Sequence, residues 1–373
     1  MKTFGHTLLC AMCLVLGVLL LEGGCPQTTD DTGADEQQRD SEAHDAERKS
    51  ESEGDNDAGG QQEPTWSVHS NIGQLIAGDI WGTGPNDIFV VGWSGSIHHY
   101  DGANWFEMSS GTDANLEGVW GSGPSDVYAA GIDVSTWEGV LLHYDGAAWS
   151  RVDPGSTAWL NAIWGSGPND VYAVGLDMDS GMGAILHYDG SGWSAIDTAV
   201  ASGFHGVWGS GATNVFVVAD SGIVLHFDGS DWSPMESGTT ATLHGLWGSG
   251  PNDVFTVGAD LAVQNAVLLH YDGIGWSEID ESSIHGLQEL SGVGGTGPDD
   301  VFAVGSKGPS STGGVAGAVL HYDGVRWARM DIPSTAGGLL PVGALTCIWG
   351  SGPNDVYAIG ALGVVLHYGT QAE

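Results

Sequence analysis

Apolar and polar positions alternate along this chain in a phrase that returns seven times between residues 64 and 373. One copy opens on LNAIWGSG (160–167), turns through Pro168, Asn169 and Asp170, and continues into VYAVG (171–175). The opening run predicts a first strand, and the turn follows because Pro presets φ while Asn and Asp bond back to the chain. VYAVG is apolar on both faces, as expected of a strand covered on both sides. AILHYDG (184–190) reads as a third strand closed by the hairpin signal Asp189-Gly190, and GWSAID (192–197) as a fourth, marked by Trp193. Anchor tryptophans at Trp81, Trp120, Trp164, Trp208, Trp247 and Trp349, with Gly294 at the equivalent place in the sixth copy, set a period of roughly 40 to 55 residues. Four strands per copy, seven copies and almost no helical periodicity predict an all-β fold, a seven-bladed β-propeller of four-stranded antiparallel blades.

The two ends of the array predict a closed ring. The last copy stops at VVLHYGT (364–370) without its fourth strand, while an orphan fourth strand, PTWSVHS (64–70), precedes the first copy. Trp66 lies 15 residues before Trp81, the same spacing that separates Trp105 from Trp120. The chain is therefore expected to supply the outer strand of its last blade from its own start, which removes the open ends a linear array must cap.

Strand order also predicts two unlike faces. Turns between strands one and two and between strands three and four share one face and are nearly uniform; loops between strands two and three and between blades share the other. Every sizeable change of length falls on that second face, most of it around copies five to seven, and binding residues favour such loops on a rigid scaffold. A residue type present in every blade reads as scaffold, because a single ligand needs an asymmetric constellation. On that ground His143, His187, His226, His270, His321 and His367 are expected to pack and hydrogen-bond locally. The tryptophans are expected to cement blade to blade.

Charge narrows the partners. With 8 Lys plus Arg against 47 Asp plus Glu, the formal net charge is −39, which repels phosphate backbones and anionic membrane surfaces and argues against nucleic acid. Residues 1–25 read as a targeting segment, with Lys2 as charged start, Thr7 to Leu21 as apolar core and LEGGC ending at Cys25. This resembles a bacterial lipoprotein signal, which implies that Cys25 carries the lipid anchor of an exported protein in the cell envelope, as an outer-membrane or surface lipoprotein. Glu22 stands where such motifs carry an aliphatic residue, so cleavage without lipidation and an uncleaved anchor remain alternatives. Residues 26–63 hold 13 acidic and 3 basic side chains and almost nothing to build a core, and are expected to form a disordered acidic tether. Cys347 is then the one thiol of the folded part, expected buried and structural.

The DGxxW turns, from Asp101–Trp105 to Asp323–Trp327, resemble the Asp-box of sialidase-like propellers, with one residue fewer between Asp and Gly. Residues 64–373 as a whole are similar to the WGSGPNDVYAVG and LHYDGxxW propeller repeats of predicted surface lipoproteins in myxobacteria and related bacteria. The sialidase resemblance implies an arginine cluster and a tyrosine nucleophile. Only Arg151, Arg326 and Arg329 occur in the propeller, all beside predicted fourth strands at the rim, so a carboxylate clamp at the axis is not expected.

Three features of the variable face are candidate sites. The residue three before the anchor Trp is Glu117, Asn161, His205, His244, Ser291 and Thr346 in successive copies, a varied polar set at the predicted channel mouth and the first choice for ligand contact. Asp177 and Asp179 in LDMDSG form a weak calcium-loop pattern, with an ordinary acidic turn as the alternative; no other cofactor is expected. Gly294 removes an anchor Trp and predicts a gap refilled by the long loops at 306–317 and 332–345, unless IHGLQ (284–288) occupies the strand instead. The expected function is a tethered, non-catalytic, monomeric binding propeller for a protein or glycan. The alternatives are a carbohydrate hydrolase or lyase using carboxylates such as Glu117, and a purely structural surface protein.

Overall fold

Each of the four runs in the repeat buries a different share of its surface, and the blades follow from that. The computed structural model describes residues 63–308, 315–336 and 340–370. The expected signal segment with Cys25, and all but the last residue of the expected tether, lie outside them. Blade one pairs Ala77–Gly84, Asp87–Gly92, Ile97–Tyr100 and Trp105–Met108 antiparallel in sequence order. Blades two to six repeat this order over 115–152, 159–196, 204–235, 242–278 and 287–329. Blade seven takes Leu345–Gly352, Asp355–Gly360 and Val364–Gly369 from the end of the chain and its outer strand, Thr65–Asn71, from the start. Trp66 pairs with Tyr368 there, as the sequence predicts, and a bulge leaves His69 unpaired between Val68 and Ser70.

The second strands carry the core: in Asp126–Asp133, Asp170–Asp177 and Asp253–Asp260 the run after the leading Asp is buried for at least five residues. Between blades, two layers of tryptophan close the seams. The inner-strand Trp of each blade lies over the glycine that follows the next blade's anchor position. A Cβ on Gly121, Gly165, Gly209 or Gly248 would meet the ring of Trp81, Trp120, Trp164 or Trp208 at 2.6–2.7 Å, so only glycine admits the approach. The outer-strand Trp meets the second-strand aromatic of the preceding blade, as in Trp149–Phe89, Trp193–Tyr128, Trp276–Phe216 and Trp66–Phe302, in T-shaped pairs with centroids 6.0–6.2 Å apart. The indole N–H groups of Trp149, Trp232, Trp276 and Trp327 are buried without an acceptor, and the T-shaped arrangement offers them a ring face instead.

Blade six departs from this scheme in a way that corrects one expectation. Its inner strand is Leu287–Gly297, with Gly294 opposite Phe302 just as Trp81 is opposite Phe89, so IHGLQ does not take the anchor place. The missing indole is replaced in part locally: the methyl of Thr296 covers Gly350, and Ile348 closes on Gly294, whose Cβ would meet the Ile348 carbonyl oxygen at 3.1 Å and its methyl at 3.4 Å, while Ile332 and Val342 of the second long loop join the cluster around Phe302 and Ile348. Part of those long loops lies outside the described residues.

Candidate functional site

Side chains repeated in every blade are occupied with one another. In blades one, two, three, five, six and seven the third-strand His donates from Nε2 to the Asp that opens strand two, at 2.6–2.8 Å. The other oxygen of that Asp accepts from the hydroxyl of Thr83, Ser122, Ser166, Ser249, Thr296 or Ser351. Each of the seven imidazoles also stacks on the second-strand aromatic at 4.3–4.5 Å. The carboxylate stands between hydroxyl and imidazole, whereas a serine nucleophile needs the imidazole in the middle. This ladder joins three strands, and its polar atoms are taken up by one another. The DGxxW aspartates are equally committed, each accepting two backbone N–H groups of its own turn, as Asp101 does from Ala103 and Asn104 at 2.9 and 2.8 Å.

The varied positions share one structural device. Glu117, Asn161, His205, His244, Ser291 and Thr346 are each the extra residue of a β-bulge in the inner strand, between Leu116 and Gly118, Leu160 and Ala162, Phe204 and Gly206, Leu243 and Gly245, Leu290 and Gly292, and Leu345 and Cys347. A bulge re-aims its side chain away from the ladder, and here it does so at the same place in six blades. Blade one has the same bulge at Gly78, where a Cβ would strike the Leu116 carbonyl oxygen at 2.3 Å.

Two of these positions are spent on the scaffold. Asn161 donates to the Phe204 carbonyl at 2.7 Å, and Thr346 donates to the Ile359 carbonyl at 3.4 Å. The other four gather chemistry. His205 Nε2 lies 3.0 Å from Asp220, which also accepts from Thr242 at 3.1 Å; the His205 and His244 rings are 5.8 Å apart; and His244 Nε2 lies 3.5 Å from Glu289. An acid–imidazole–imidazole–acid line thus crosses blades four, five and six. Burial pulls His244 down to about 4, helped by neighbouring His205 and opposed by Asp220. Glu289 is pushed up by burial against a hydrogen bond from Ser291, while the His205 hydrogen bond holds Asp220 down. On the far side, burial pushes Glu117 up to about 7 in spite of a hydrogen bond with Trp93.

Asp79, Glu289, Asp220 and Trp93 were not singled out from sequence. Asp79 carried a signal, being the one acid in a column otherwise filled by Gly118, Ala162, Gly206, Gly245, Gly292 and Cys347. Its carboxylate accepts from Ile80 N at 2.8 Å and Val119 N at 3.1 Å, across the seam of blades one and two, and burial still pushes it up to about 7. Cys347 is buried in the same column, and burial followed by the nearby Asp79 charge pushes its thiol up, away from thiolate reactivity.

The loops of the variable face fall into two classes that act as each other's control. In the four-residue loops of blades two, three and five, the last position has φ of 63, 71 and 56° and is Trp137, Gly181 and Gln264. In the three-residue turns of blades one, four and seven, the middle position has φ of 58, 58 and 61° and is Ser94, Ser221 and Leu362. This left-handed region favours glycine, so a Trp or Leu there costs stability. Val134, Trp137, Leu261, Val263 and Leu362 are 40–61% exposed on these tips. On the uniform face Ile274 and Val325 are exposed at a turn position that carries Ala103, Ala147, Ser191 and Ser230 in other blades. Asp177 and Asp179 sit in the blade-three loop, where Asp177 Oδ1 accepts from Asp179 N at 2.9 Å and Ser180 N at 3.3 Å, the same turn that Asp133 and Asp260 make. Among the described residues no three His, Cys, Asp or Glu side chains converge as a metal-ligand set.

This architecture defines the chain as a seven-bladed β-propeller. No protein-family model matches the chain, and no curated protein is significantly similar to it. Solved structures are: YCF48 bound to D1 peptide superposes with a TM-score of 0.60 at 16% identity, covering 82% of this chain and 97% of that one. The GH74 enzyme of Niastella koreensis gives 0.64 at 12% identity, over 81% of this chain and 53% of its own. The WD40 propeller domain of Doa1 gives 0.60 at 9% identity, over 83% and 98%. At such identities the likeness concerns the fold alone.

Proposed function

We propose that this chain is a non-catalytic recognition propeller that docks a protein partner on its variable-loop face, and that Cys25 and the acidic run hold it at the cell envelope. The observation that carries the docking is the placement of Trp137 and Leu362 at left-handed positions where sister loops have Gly181, Gln264, Ser94 and Ser221. Folding gains nothing from an exposed indole in a strained turn, whereas a partner gains an aromatic anchor. Leu261 and Val263 extend the apolar set. Residues 64–373 hold 33 acidic and 4 basic side chains, so the complementary partner surface is basic with apolar pockets. YCF48, a propeller of similar shape, is bound to a D1 peptide, which supports a peptide or protein as the kind of partner.

The test compares the full chain with a W137S/L261S/V263S/L362S variant in cross-linking to envelope proteins. The expected outcome is one partner captured by the parent and lost by the variant, with equal melting temperatures. A partner retained at parental yield would remove the docking face from the reading. The hydrolase alternative rests on Glu117, whose raised pKa suits a general acid. Saccharide hydrolysis that disappears in E117Q would favour it.

A further inference from the structure

In six of the seven seams a leucine of strand three shares a hydrophobic cluster with an aliphatic or methionine side chain that stands three residues after the Trp of the preceding outer strand. Met108 with Leu142, Val152 with Leu186 and Met330 with Leu366 are examples, and Ile196, Met235 and Ile279 pair in the same way. The seam between blades seven and one breaks the rule at both positions, with His69 and His98. These two residues come from different strands, and their replacement is correlated.

Folding accounts for His69. It is the bulged residue of the closing strand, and its Nδ1 accepts from Trp105 Nε1 at 3.4 Å. Folding does not account for His98. Its counterparts Leu142, Leu186, Leu225, Leu269, Leu320 and Leu366 are at most 4% exposed, whereas His98 leaves its Nδ1 buried without a partner. Both histidines line a groove of about 460 Å³ along the outer flank of the seam, together with Ser70, Asn104, Trp105 and Glu107.

We propose that this groove binds a saccharide. Its lining is mixed in the way a hydroxyl-rich ring requires. Burial keeps His98 below the ordinary imidazole value, so its ring is uncharged at neutral pH, and Nε2 is the ring nitrogen left to a ligand. Asn104 and Ser70 offer both, Glu107 accepts, and the Trp105 ring supplies an apolar wall. No Lys or Arg lines the groove and the propeller is strongly acidic, which disfavours phosphate, sulfate and uronate ligands. The loss of the aliphatic pair disfavours apolar ones. This site is separate from the variable-loop face, and neither depends on the other.

The experiment follows the histidine ring signals of the full chain by NMR during titration with glucose, galactose, N-acetylglucosamine and their β-linked disaccharides. Single H69M and H98L variants assign the signals. The expected result is saturable movement of the His69 and His98 signals and of the Trp105 indole N–H signal by at least one sugar, with the affinity read at Trp105 weakened tenfold or more in H69M/H98L, the Met–Leu combination that three other seams already carry. N104A/E107A is the second arm, since these exposed side chains can be lost without disturbing seam packing. Movement retained in both variants overturns the proposal. So does the absence of movement with every sugar at tens of millimolar, or equal movement of all exposed histidines.

Discussion

At the residue scale, Glu117 shows what burying an acid on an inner strand does to stability. Its carboxyl titrates near 7 in the fold, because burial outweighs the hydrogen bond with Trp93, and at the ordinary value of 4.5 in the unfolded chain. An acid whose pKa rises on folding contributes stability that is present below its unfolded pKa and lost as pH climbs through its folded one. Wild-type protein should therefore lose stability between about pH 4.5 and 7 through this group. Glu117→Gln cannot ionise and should escape that loss, gaining on the parent by about 1–2 kcal/mol from acid to neutral pH once water in the channel is allowed for. Urea unfolding of both proteins at pH 5 and pH 8 checks this; a difference that is equal at the two pH values would show that Glu117 keeps an ordinary pKa. Asp79 carries the same sign with a value near 7, but its two backbone donors make it a poor substitution target, since Asn could satisfy only one of them.

At the element scale, the hydroxyl–Asp–His ladder ties strands one, two and three of six blades, and blade four lacks it. Asn214 replaces the Asp, and His226 meets it at 3.0 Å with a pKa lowered by burial. Asn214→Asp should restore the charge-assisted bond, stabilise the protein by about 1 kcal/mol, and raise the His226 pKa. Calorimetry and an NMR titration of His226 check both parts, and an unmoved His226 would mean that the blade-four strands do not adopt the common geometry. Most of this architecture was readable in the sequence, because the phrase is repeated: four runs per copy, the two faces, and the closing strand marked by the 15-residue step from Trp66 to Trp81 all follow from spacing. The polar column from Glu117 to Thr346 was readable as a column, but its bulges were not, since a bulge exists only in the register against a partner strand. Glu289 and Asp220 were hidden for a related reason. They lie in a different place in their copies from His244 and His205, and Asp220 meets His205 within blade four while Glu289 meets His244 over the seam of blades five and six. The replacement at Gly294 by Thr296 and Ile348 likewise depends on side chains of two blades meeting at a distance that spacing does not reveal. His98 was visible as the one His in a leucine column; its importance appears only when His69 is found in the same groove.

At the scale of the whole molecule, closure decides whether the blades melt singly or together. A linear array of repeats behaves as nearest neighbours, so damage at one end frays that end. Here the outer strand of blade seven comes from the start of the chain and buries Trp66 to 6% exposure against Phe302 of blade six and Tyr368 of its own blade. Removing residues 62–71 takes away that indole, a strand ladder and the wall against which Trp105 and Tyr100 pack through His69. Loss of a buried Trp alone costs about 3–5 kcal/mol, or a fall in melting temperature on the order of 10 °C for a domain of this size. Cooperativity is tested by where the damage is felt. In a closed ring, amide hydrogen exchange should accelerate in the second strands of blades three and four, Asp170–Asp177 and Asn214–Ala219, as well as at the missing strand. Protection lost only from blades six, seven and one, with blades three and four as slow as in the parent, would mean that the ring is a chain of independent neighbours and that closure supplies geometry but little stability.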